Sequence, residues 1–216
     1  MLKKTLLTLA LTILAVSTFT SRAHAQYGSL SVGTFTVADP VPCPGSGWYH
    51  YGTQYVICKG ATVSNCPNAD TLSLTFGYLD PVGLVSGVSV EKGVIVLLSE
   101  HGGTAPGDDP VGITDGDFAF SDYYFKQGFE VVQLAWSSDW EYIHYPPPPP
   151  PPYGNIQYAS CRPATFLNWV FNNIYAPIQQ NNNSQAGMCA HAFSGGSAAA
   201  AYTMAYFGPP SGTSWW

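Results

Sequence analysis

The sequence predicts an α/β fold, with strands laid side by side in a sheet and helices on its faces. Three observations carry this. Gly93 to Glu100 is a continuous apolar run of strand length, the pattern of a strand buried on both faces. A helical stretch from about Phe118 to Gln127 separates it from another strand, Phe129 to Ala135. Strand, helix, strand implies a parallel crossover unit. Last, Gly187 to Tyr206 reads as a short apolar strand, a sharp turn at Ser194-Gly195-Gly196 and a helix opening with Ala198 to Ala201.

Taken in order, the chain opens with Lys3 and Lys4, an apolar stretch from about Leu6 to Val16, and Ala23-His24-Ala25. This is a secretory signal peptide over residues 1–25 with an A-x-A cleavage site, so the expected location is secreted or periplasmic. Residues 26–69 are rich in Gly, Tyr, Pro and Cys without a long period, and read as an irregular or short-stranded section tied by disulfides. Export favours disulfides. There are five cysteines, so at least one has no partner within the chain. Cys58 and Cys66, close in sequence, are the first expected pair.

Residues 70–216 carry the α/β pattern. Thr71 to Tyr78 alternates apolar with small or polar residues and reads as a strand with one wet face. Gly87 to Gly93 reads as a short strand and turn. Asp108, Asp109, Asp115 and Asp117 lack EF-hand spacing, and no Cys/His cluster has zinc spacing, so no metal site and no cofactor is expected. Gly128 suits a helix C′ position. Seven prolines, Pro146 to Pro152, read as a stiff polyproline II spacer across a surface loop. That run follows the strand ending at Ala135, so residues 140–153 are expected near the Ser194 end of the sheet. Pro163 to Ala176 is an amphipathic helix that Pro177 should end.

Net charge is −6 with only seven Lys and Arg, a poor basis for binding nucleic acid. Past the signal no stretch has the ~18 apolar residues a membrane span needs.

The chemistry concentrates at Ala192-Phe193-Ser194-Gly195-Gly196. A serine on a tight strand-to-helix turn holds its Oγ clear of the backbone, and small neighbours avoid clashes. The following helix points its first N–H groups at the reacting centre. This stretch resembles the nucleophile elbow, Gly-x-Ser-x-Gly, of the α/β-hydrolase superfamily, with Ala192 for the first Gly. His101-Gly102-Gly103, after the strand at 93–98, is similar to the oxyanion-loop motif of its esterases and lipases. The resemblance covers roughly Thr71 to Tyr206. It implies a mostly parallel sheet with flanking helices, Ser194 as nucleophile, and oxyanion donors from Gly195 and from Gly102 or Gly103. His101, Ala192 and Gly196 would support them. The partner would be an ester, small molecule or polymer.

The resemblance also implies an acid and a histidine after the serine. No Asp, Glu or His follows Ser194. His191, three residues earlier, should point to the opposite face of its strand. The expectation is therefore a partial α/β-hydrolase domain, cut after the elbow and inactive by itself. Its elbow strand would be an exposed edge prone to self-association. The competing class is a non-catalytic secreted binding protein on the same fold.

Overall fold

The computed structural model describes residues 30–99, 102–106, 119–143 and 156–208. The signal segment, His101, the four aspartates at 108–117, His144, the proline run and the last eight residues lie outside these.

The strands are β1 (Thr34–Pro40), β2 (His50–Tyr51), β3 (Gln54–Tyr55), β4 (Ile57–Ser64), β5 (Leu72–Leu79), β6 (Gly93–Leu98), β7 (Glu130–Trp136) and β8 (Gly187–Ala192). The helices are α1 (Ala119–Lys126), α2 (Ile156–Ala159), α3 (Cys161–Val170) and α4 (Gly195–Tyr206). Six strands form one sheet in the order β1-β4-β5-β7-β6-β8, and β2 and β3 form a separate hairpin.

The sheet is mixed, not mostly parallel. β1, β4, β5 and β7 pair antiparallel, and β7, β6 and β8 pair parallel. Connection length explains the division. Only seven residues join β4 to β5, too few for a crossover, whereas β6 reaches β7 through α1 and β7 reaches β8 through α2 and α3. The parallel strands β6 and β7 are buried along their whole length, as the uninterrupted apolar run of β6 requires; β7 carries Glu130 and Gln133 into the interior.

The section 26–69 is more regular than its composition suggests. It supplies β1 and β4, and Phe35, Val37, Ala61 and Val63 pack into or against the main core. Disulfide pairing also differs from the expected Cys58–Cys66. The bonds are Cys43–Cys58 and Cys66–Cys161. Cys58 lies in β4 and Cys66 lies just past its end. Extended chain at ~3.3 Å per residue puts them roughly 25 Å apart, far beyond the reach of one bridge. Cys189 is unpaired and exposed.

Residues 87–92 form no strand. α1 ends on Gly128 at φ 92°, and Gly128 and Phe129 N–H groups donate back to Phe125 and Tyr124 carbonyls, a Schellman closure. Pro177 does not end the long helical segment. After α3 the chain passes into π-helical turns at Phe171–Tyr175 and Ile178–Asn182, and Pro177 sits between them at φ −59°. The looser turns absorb a residue that has no N–H to give. No described helix is long and apolar enough to cross a membrane.

Candidate active site

The carboxyl ends of the parallel strands converge on one place. β8 ends at Ala192, and two residues later Ser194 adopts φ 48° and ψ −119°. That is a left-handed φ which L side chains avoid, and it is held between a strand and a helix. Ser194 is exposed. The helical ladder of α4 begins with the N–H groups of Gly196, Ser197 and Ala198, which donate to the carbonyls of Phe193 and Ser194. The Gly195 N–H is one of the helix's orphan donors. A side chain at Gly196 would collide with the Leu98 and Ser99 carbonyls, so glycine lets the start of α4 lie directly on the end of β6.

From that same end of β6 the chain reaches Gly102 and Gly103. Both are buried, and they are sewn to the end of β7 and the loop after it. Trp136 N–H donates to the Gly103 carbonyl at 2.7 Å, and Trp140 N–H donates to the Gly102 carbonyl at 2.9 Å. In a planar trans peptide the N–H points opposite to the carbonyl. The Gly102 carbonyl faces Trp140, so the Gly103 N–H faces away from it. Gly103 also has φ 75°, and a side chain there would strike the Trp136 ring; at Gly102 it would strike Asp139.

A small pocket lies between the Ser194 turn and this loop. It offers about 10 Å³, room for about one water molecule, and its lining includes Gly103, Gly196, Leu98, Trp136 and Trp140. Ser99 also lines it. Ser99 Oγ and Trp140 Nε1 are buried with no hydrogen-bond partner among the described residues. Nearly all buried polar atoms find partners, so two orphans around one pocket mark a place where polar groups are kept ready.

His191 lies on the face of β8 away from the main core. Its Nδ1 shares a 2.8 Å hydrogen bond with the Tyr124 hydroxyl on α1, and its ring packs on Phe120. Burial, foremost, pushes the Tyr124 phenol above its usual value. His50 belongs to the β2–β3 hairpin, where it contacts the Gly52 carbonyl and the Tyr55 ring. No group of three or more His, Cys, Asp or Glu that could hold a metal occurs among the described residues.

The structure thus brings Gly196 and Gly103 to one pocket, with Ser194 and Gly195 just before the one and Gly102 just before the other in the chain. Ala192 closes β8, where its carbonyl accepts from Ser197 Oγ at 3.0 Å. The role expected of His101 falls outside the described residues. Trp140, the first residue of the segment expected near the Ser194 end of the sheet, lines the pocket with Gly103 and Gly196. Sequence reasoning missed Arg162, whose guanidinium reaches the Trp140 loop. The signal for Arg162 was a lone arginine inside an otherwise apolar helix. Comparison with protein-family models, with curated proteins and with solved structures finds no match for this chain.

Proposed function

We propose that this protein carries the nucleophile elbow and oxyanion loop of a secreted serine hydrolase of the α/β-hydrolase type, acting on carboxylic esters. The observation that carries the reading is the strained φ of Ser194 at the turn from a parallel strand into a helix. A backbone held against its preference at an exposed serine is the kind of strain that functional sites keep. The secreted location draws support from two disulfides, which belong to oxidising compartments.

In this reading Ser194 Oγ attacks the acyl carbonyl. Negative charge then develops on the carbonyl oxygen, between the Gly195 N–H and the Gly103 N–H. Donors fixed in place before reaction contribute most there, since nothing needs to reorganise as charge appears. Each such donor is worth about 10²–10³ in rate. The hydroxyl must still lose its proton. His191 and His50 are engaged elsewhere, and no Asp, Glu or His follows Ser194 in the sequence.

An exposed serine with a prepared hole and no described base calls for an external base. A fluorophosphonate probe, with and without added imidazole, supplies the test. The expected result is slow modification confined to Ser194, accelerated by imidazole and absent from Ser194→Ala, as read by peptide mass spectrometry. No modification under either condition favours the second reading, a non-catalytic binding protein. That reading draws on the lack of a free base among the described residues and on the exposed rings of Tyr55, Tyr123 and Tyr142.

A further inference from the structure

Arg162 is the one cation in the described structure with a wholly buried side chain, at 0 % exposure. Burying a guanidinium is costly unless its N–H groups are met. Here the two terminal nitrogens are met mostly by backbone, while Nε has no partner among the described residues. One terminal nitrogen donates to the carbonyls of Trp140 (2.7 Å) and Tyr142 (2.6 Å). The other donates to the Asp70 carbonyl (3.1 Å) and to the Asp70 carboxylate, which is itself half exposed. One terminal nitrogen of the guanidinium thus fixes the loop after β7, and the other ties it to Asp70.

That loop is the one that holds Gly102. Trp140 is gripped at both main-chain groups: its carbonyl accepts from Arg162, and its N–H donates to the Gly102 carbonyl. The Gly102–Gly103 peptide is planar, so the direction of the Gly102 carbonyl sets the direction of the Gly103 N–H. Arg162 is anchored in turn. Its neighbour Cys161 is bonded to Cys66, and Asp70 follows Cys66 by four residues.

We infer that Arg162 is a positioning residue for the oxyanion loop, acting through Trp140 and Gly102, with the Cys66–Cys161 bridge as its anchor. The inference rests on the reading of Gly102–Gly103 as an oxyanion loop. A planar fork can span two carbonyls and a carboxylate together, which a lysine ammonium on a flexible stem does not reproduce.

The experiment measures imidazole-assisted fluorophosphonate modification of Ser194, together with hydrogen exchange of the Trp140 and Gly103 amides. The proteins compared are wild type, Arg162→Lys, Asp70→Ala and Val63→Ala. Val63 is buried in β4, so its variant matches the loss of stability without touching the loop. Arg162→Lys should slow modification about tenfold or more, since misplacement by ~1 Å can cost about 10² in rate. Exchange at Trp140 should quicken in parallel. Asp70→Ala should slow modification about two- to fivefold, and Val63→Ala should leave it unchanged. Wild-type rates in both Arg162→Lys and Asp70→Ala would overturn the inference. Equal slowing in Val63→Ala would overturn it too, since the effect would then be general destabilisation. If Arg162→Lys does not fold, Asp70→Ala decides. A wild type that is never modified would sink the functional reading instead, and the exchange data would still report whether Arg162 holds the loop.

Discussion

Ser194 is held at a backbone conformation that costs on the order of 1–3 kcal/mol for a side chain of its kind. Glycine adopts such a φ freely, at the expense of ~0.5–1 kcal/mol of extra chain entropy. Ser194→Gly should therefore raise stability by about 1 kcal/mol while abolishing any modification at this position. Ser194→Ala should abolish modification without the gain, because alanine keeps the Cβ. Thermal melts of the three proteins check this, and a Ser194→Gly variant no more stable than Ser194→Ala would remove the case for strain. Glu130 makes a second residue-scale point, at the opposite end of the sheet. Burial, with Asp80 and Glu91 nearby, pushes its carboxyl from 4.5 up to about 8. Between these values the unfolded chain has lost a proton that the folded chain retains. Stability should thus fall as pH rises from about 4.5 to 8 and level off beyond, by a few kcal/mol at most. Asp80 is raised as well, chiefly by burial, and acts in the same sense. Glu130→Gln should flatten much of that slope in melts between pH 5 and 9, and an unchanged slope would show that the carboxyl ionises freely in the fold.

Among the elements, those with a local signature were legible in the sequence. β6 is buried on both faces and so reads as an uninterrupted apolar run, and β7 follows a helix with mostly apolar residues. α4 and its turn are marked by two glycines and four alanines. Gly103 and Gly196, which line one pocket, could be singled out because each follows a parallel strand. What could not be read depends on contacts between distant segments. β1 and β4 are short strands hidden in a Gly, Pro and Cys background, and they become regular only by pairing, β4 with β5 and β1 with β4. The cysteine pairs follow from the strand between Cys58 and Cys66, which the apparent polarity of residues 59–65 disguised. Arg162 and Trp140 are 22 residues apart, and Trp140 and Gly102 are 38 apart, so no spacing rule connects them.

On the scale of the whole molecule, β8 closes the strand order of the described sheet, with β6 on one side of it. Gly187 and Phe193 N–H groups donate to Lys92 and Leu98 on the β6 side. Alternation along a strand then turns the N–H and C=O groups of Met188, Ala190 and Ala192 toward the other side. The strand reads Gly-Met-Cys-Ala-His-Ala, with no Lys, Glu or Pro to discourage pairing. α4 adds to the same flank, with Met204 and Ala201 exposed on a helix that is apolar nearly all round. An uncharged, flat edge of this kind is what native proteins otherwise cover or blunt. The 216-residue chain should therefore self-associate through β8 in a concentration-dependent way. Cys189 is exposed, so Cys189→Lys places a charge on that edge without disturbing the core. The variant should shift the chain toward monomer in size-exclusion chromatography with light scattering, under reducing conditions that exclude a disulfide link. A wild-type chain that stays monomeric from micromolar to near-millimolar concentration would mean that the open side of β8 is already covered.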